Sequence, residues 1–220
     1  MNSLVAGTSF ITAARSASVA ALLLCGTQAF PATAAHAESV DTTGATSCRV
    51  SGFVYDTDPK GTNVRRAPGV NAPIIGHLPP LGFPDKDSRD GPLVGVEFTI
   101  AGSKDGWLLI KERQKPPVIH LDPAYAAAGL GWISARLAGT QLGAWTLRAA
   151  PRHDAAILGQ MQGDWGGPDS VKVMAIHGCD GGYIDVTVKP LSGPVLRGWS
   201  WLPCASQLTT CDRADEQLDR

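Results

Sequence analysis

Histidine and cysteine carry most of the chemistry a small protein can do, so they are taken first. Cys48, Cys179, Cys204 and Cys211 lie beyond an N-terminal apolar segment that contains Cys25. A thiol peptidase needs a free, activated cysteine beside a histidine base. No cysteine here stands in such a context, and no G-x-S-x-G turn occurs. The histidines of the same region are His77, His120, His153 and His177; none is paired at i+4, and neither H-E-x-x-H nor C-x-x-C is present. His120 with Asp122 and His153 with Asp154 come nearest to a ligand pair, and solvated loop histidines are the simpler reading. Gly102-Ser103-Lys104 falls in a hairpin turn rather than a glycine-rich loop before a helix, so no phosphate cradle is expected. The expectation is a protein with no catalytic residue, no metal and no cofactor.

Binding remains, and aromatic side chains dominate recognition by small β-modules because a flat ring gives contact area at low entropic cost. Trp107, Trp132, Tyr183 and Trp199 begin or occupy strands, which assigns them to the core. Trp145 and Trp201 fit either role. Trp165 sits in the turn-rich stretch QGDWGGPDS, where burial is less expected, and Tyr55 stands beside Asp56 and Asp58. Tyr55, Asp58, Arg66 and Trp165 are therefore the candidate binding residues. Arg65, Arg66 and Arg148 equally read as solvated strand-end residues.

Composition narrows the partners. The 220-residue chain carries 19 basic and 20 acidic side chains, and 25 glycines with 16 prolines favour short strands and turns over long helices. Val19–Leu24 is an apolar run after the single charge of Arg15, and Ala35-His36-Ala37 is an A-x-A pattern that predicts signal-peptide cleavage before Glu38. Cys25 raises the alternative of a lipoprotein signal, but Leu24 is not the small residue that such a site requires. Without residues 1–37 the chain keeps 18 basic and 20 acidic side chains, formally −2. This balance lacks the excess of a nucleic-acid binder and the polybasic stretch of a membrane-surface protein. Four cysteines in an exported chain predict two disulfides. Three pairings are open, and the short loop favours Cys204 with Cys211.

The elements that must position these residues come from a repeat. GTNVRRAPGVNAPIIGHLP (Gly61–Pro79) reads as strand, Pro/Gly turn, strand, and AWTLRAAPRHDAAILGQM (Ala144–Met161) repeats it. Pro68 and Pro151 are each followed eight residues later by a glycine, Gly76 and Gly159. A hairpin follows in each half, returning through WLLIK at Trp107 and YIDVTV at Tyr183, and each half closes on Gly-Trp, at Gly131 and Gly198. No sustained 3.6-residue apolar stripe occurs. The expected class is all-β, with two units in tandem, residues 48–142 and 143–211. A flexible lead-in (38–47) precedes them and a polar tail (212–220) follows. The copies differ in the loops Leu81–Pro92, Glu112–Leu130 and Gln162–Ser170, where function is expected to reside.

The NVRRAPGVNAPIIGHLP opening, the GWLLIK hairpin and GWISARL resemble the bacterial SH3-like (SH3b) domain, with its "LNVRSGPS…VIG.L" opening and closing "GWV". WTLRAAPRHDAAILGQM, GGYIDV and GWSWL match again, so the resemblance spans Gly61–Leu208. Arg66-Ala67 and Ala149-Ala150 stand where the family often has Ser-Gly, and the Glu112–Leu130 insert is longer than the usual link. The resemblance implies two small, partly open SH3-like barrels. It also implies a non-enzymatic, periplasmic or secreted module that binds a cell-wall glycopeptide through a groove. The alternative is a structural adaptor binding another envelope protein, with no nucleic-acid partner and no membrane insertion.

Overall fold

Alternation of apolar residues in the sequence becomes alternation of burial in space, because successive side chains of a strand point to opposite faces. The computed structural model describes residues 38–82, 93–115, 117–161, 171–208 and 211. Among them the chain is all-β, in two antiparallel sheets, neither closed into a barrel. The first sheet holds β1 (Thr46–Val54), β2 (Thr62–Arg65), β3 (Ile74–Leu78), β4 (Glu97–Lys104), β5 (Trp107–Glu112), β6 (His120–Leu121), β7 (Leu130–Ser134) and β8 (Ala138–Gly139). Its order is β6-β3-β2-β7-β5-β4-β1-β8. The second holds β9 (Thr146–Arg148), β10 (Ile157–Gln160), β11 (Lys172–Asp180), β12 (Tyr183–Lys189) and β13 (Leu196–Trp201), in the order β10-β9-β13-β12-β11. Along β4, Phe98 and Ile100 are fully buried while Glu97, Thr99 and Ala101 are not. Among the described residues no helix is long and apolar enough to cross a membrane.

The sequence repeat is a structural repeat. β2 pairs with β3 and β7 as β9 pairs with β10 and β13, and Arg65 faces Trp132 as Arg148 faces Trp199. Both arginines hold the turn that follows, since Arg65 Nη1 donates to Ala72 O at 2.7 Å and Arg148 Nη1 to Ala155 O at 3.1 Å. The hairpin strands run further than the glycine signals imply. Gly102-Ser103-Lys104 belongs to β4 and not to the turn, and β11 likewise continues through Gly178 to Asp180, leaving two residues at each tip. Phe53 and Val54 are both buried while Tyr55 is exposed, so β1 does not alternate at its end.

Three strands, β1, β6 and β8, belong to the first half alone. β6 and a short helix, α1 (Pro123–Ala126), fold from the long insert and lie along β3, with His77 facing His120 and Gly76 facing Leu121. A Cβ on Gly76 would stand 2.5 Å from His120 O, so this position requires glycine for the approach of the second backbone. The cover lies over β3, where Ile75 is 1% exposed; among the described residues its counterpart on β10, Leu158, has no such cover and is 51% exposed. Of the aromatic residues assigned to the core, Trp132 and Tyr183 are buried while Trp107 and Trp199 are half-buried; Val64, Ile75 and Leu147 of the repeat are buried and Leu158 is not.

The lead-in, expected to be flexible, is fastened along the first sheet. Glu38 N donates to Ala124 O at 3.0 Å, Asp41 N to Arg66 O at 2.9 Å, and the buried Trp132 ring donates its Nε1 hydrogen to Asp41 O at 2.8 Å. The Tyr125 hydroxyl donates to the Glu38 carboxylate. Backbone and side-chain hydrogen bonds from Thr43 hold the Asp41 carboxyl below its usual range. Thr46 and Ser47 already belong to β1, and residues 38–45 form no strand, yet the Asp41 carbonyl satisfies an indole N–H that the first sheet would otherwise bury unpaired.

The halves are locked together at two places. A disulfide joins Cys48 to Cys179 across 131 residues, with Cα atoms 5.8 Å apart. Beside it Cys179 N donates to Ser103 Oγ at 2.9 Å, Ser103 Oγ donates to Cys179 O at 3.2 Å, and Arg49 N donates to Gly181 O at 2.7 Å. At the other end Gln141 and Cys204 exchange backbone hydrogen bonds at 2.9 Å each, and the Gln207 amide clasps both backbone groups of Gly95. The second disulfide, Cys204–Cys211, is the short loop favoured from the spacing. Two disulfides are the chemistry of an oxidising compartment.

Candidate functional site

The turn Asp56–Gly61 is built by its own carboxylates. Asp56 Oδ1 accepts from Asp58 N at 3.0 Å and Oδ2 from the Thr62 hydroxyl at 2.8 Å, so this buried carboxylate is satisfied locally. Asp58 Oδ1 accepts from Lys60 N at 2.9 Å, leaving the exposed carboxylate with acceptor capacity toward solvent. Gly61 closes the turn at φ +74°, where a Cβ would strike Leu78 O.

This turn forms one wall of a groove of 320 Å³ whose other residues include Asn63, Arg65, Val70, Trp107 and Ser134. β2 supplies Asn63 and Arg65, and the turn tip after β2 supplies Val70, which is exposed. Trp107 opens β5 and lies directly across from Ser134 at the end of β7. The groove combines an indole, a free carboxylate, a guanidinium with one N–H already fixed, and a small hydroxyl. Such a set can stack a flat or aliphatic group on the indole, take an amine at Asp58 and a carboxylate at Arg65. The lining contains no histidine and no cysteine.

The same positions in the second half are closed. Arg148 stands for Arg65, His153 for Val70, Tyr183 for Trp107, and Trp201 for Ser134. Tyr183 and Trp201 are cross-strand partners with ring centroids 4.7 Å apart, and His153 packs on both, at 5.5 and 4.7 Å. Three rings fill what in the first half is open space.

The sequence candidates separate in space. Asp58 lies in the groove. Tyr55, 58% exposed, lines a different cleft of 380 Å³ between the two sheets, together with Phe53, Met174 and Ile176. Arg66 fastens the lead-in: Nε donates to Ser39 O at 3.3 Å and Nη1 is 3.9 Å from Glu38 Oε2. Trp165 lies outside the described residues, as do Gln162–Ser170 and residues 83–92. Trp107, assigned to the core from sequence, is half-buried in the groove, and Arg65, Val70 and Ser134 join it there. The readable signal for them was a difference between copies, Ser134 against Trp201 and Val70 against His153. All four cysteines of the described residues are in disulfides. Compared with family models, with curated proteins and with solved structures, the chain finds no match.

Proposed function

We propose that this protein is an exported, non-enzymatic binding module of the bacterial cell envelope, and that its ligand is a short charged peptide such as the stem peptide of peptidoglycan. The observation that carries this reading is the groove lined by the Trp107 indole together with the carboxylate of Asp58 and the guanidinium of Arg65. A stem peptide offers free amine and carboxylate groups on a compact aliphatic chain, which is the complement of that lining. The resemblance to SH3b domains, the A-x-A leader and the two disulfides support the location. Retention of the purified protein on peptidoglycan sacculi, lost in Trp107→Ala, is the expected result; equal retention of the variant removes the groove from the mechanism. A second reading, an adaptor that binds another envelope protein, is favoured by the cleft between the sheets, where Tyr55 and Met174 expose apolar surface.

A further inference from the structure

We infer that the outer edge of β10 is a docking site for an extended polypeptide segment of a partner protein, added as an antiparallel strand. β3 and β10 are equivalent strands, each paired on one side with its repeat partner, β2 or β9. On its other side β3 carries β6, which pairs His120 with His77 and Leu121 with Gly76, while Asp122 N donates to Ile75 O at 2.8 Å. Among the described residues β10 is the terminal strand of its sheet, with no strand paired on its outer side.

Inside the sheet the two edges are built alike. Ile75 Cδ1 stands 3.6 Å from where a Cβ on Gly131 would lie, and Leu158 Cδ1 stands 3.3 Å from the same point on Gly198. Both side chains therefore reach toward the same glycine of β7 or β13. Among the described residues β3 carries this cover and β10 does not, and Ile75 is 1% exposed against 51% for Leu158. Ile157 beside it is also exposed, and Leu196 leans over Gly159 and gives an incoming side chain an apolar floor. An uncovered apolar edge strand is a template for strand addition, in which backbone hydrogen bonds give affinity and alternate side chains give selectivity. β6 shows the occupant this edge accepts: an extended segment in which apolar Ile119 and Leu121 flank His120, with Ile119 buried against the core. This inference stands apart from the Trp107 groove, and either can fail without the other.

The probe is a synthetic peptide with the sequence of residues 117–123, PVIHLDP, added to the whole protein and followed by amide hydrogen exchange and by titration. Binding with slowed exchange at Leu158–Gln160 is expected, together with a loss of about tenfold or more in affinity for Leu158→Lys, because a charge on an edge strand opposes pairing. Asp180→Lys, on β11 at the opposite edge of the same sheet, keeps the affinity. If Leu158→Lys fails to fold, Ile157→Lys is measured in its place. No binding at millimolar peptide, or protection on β11 in place of β10, overturns the proposal. A protein that dimerises through β10 by itself, with Leu158→Lys monomeric, also overturns it by making a second copy the occupant.

Discussion

Tyr183 and Trp201 face each other across β12 and β13 with ring centroids 4.7 Å apart, and at the same two positions of the first half stand Trp107 and Ser134. One pair closes a groove and the other leaves it open. Ser134→Trp should fill the open groove as Trp201 fills its counterpart, reducing retention on sacculi to background while the far-UV spectrum stays unchanged. Trp107→Ala is expected to weaken binding by about tenfold or more, the scale of a lost aromatic anchor. Unchanged binding in both variants would place the ligand elsewhere, with the cleft at Tyr55 next in line.

Trp201→Ser makes the converse change. It removes a half-buried indole from the stack with His153 and Tyr183, at a cost of about 2–3 kcal/mol in unfolding free energy, below that of a fully buried tryptophan. Denaturant unfolding measures it, and His153→Ala is expected to cost less because His153 is exposed.

The two disulfides should differ in weight. Cys48–Cys179 closes a loop over 131 residues and Cys204–Cys211 one over 7. The chain-entropy relation then gives about 5 kcal/mol for the first and about 2–3 kcal/mol for the second. Double Cys→Ser variants of each pair, compared by midpoint of denaturation, should keep that order. Reversal would mean that the Ser103 and Gly181 hydrogen bonds hold the halves together without the covalent link.

The lead-in should loosen in alkali. The hydrogen bond to Glu38, followed by burial, raises the Tyr125 phenol above its ordinary value of 10.0. A group whose pKa is raised on folding contributes stability that is complete below the unfolded value and is lost as pH rises through the folded one. Stability should therefore hold to about pH 10 and then fall, and Tyr125→Phe should flatten that fall. Ultraviolet titration of the phenols, with the variant as reference, should show Tyr125 ionising later than a free tyrosine.

Glycines of the repeat give a fifth comparison. A Cβ at Gly76 meets the His120 carbonyl of β6, which is backbone, whereas at Gly159 it meets the end of the Leu196 side chain at 2.7 Å. Gly76→Ala is expected to cost about 2 kcal/mol or more, and Gly159→Ala less, because a side chain can turn aside more cheaply than a paired strand. Thermal unfolding of the two variants decides the order.

Much of the architecture was legible because it rests on local rules. Alternation in Glu97–Ile100 and Tyr183–Val188, the paired Pro and Gly of each opening, and the short Cys204–Cys211 spacing each act within a few residues. The candidate site was less legible. Asp58 was identified because its turn is local, but Trp107 reads like any strand aromatic until the residue opposite it is known. Arg66 resembles a ligand-binding cation in sequence and is instead occupied by Glu38 and Ser39, 28 and 27 residues away.

The amino-acid sequence by itself determined the all-β class, the repeated strand–turn–strand unit and the cysteine count, since periodicity and turn chemistry are written residue by residue. Tertiary structure alone decided that Cys48 joins Cys179, that the long insert shields β3, and that a serine opposite Trp107 leaves a groove where a tryptophan opposite Tyr183 closes one. Each of these depends on which strands become neighbours. That is settled by the joint burial of residues far apart in the chain, and no local pattern records it.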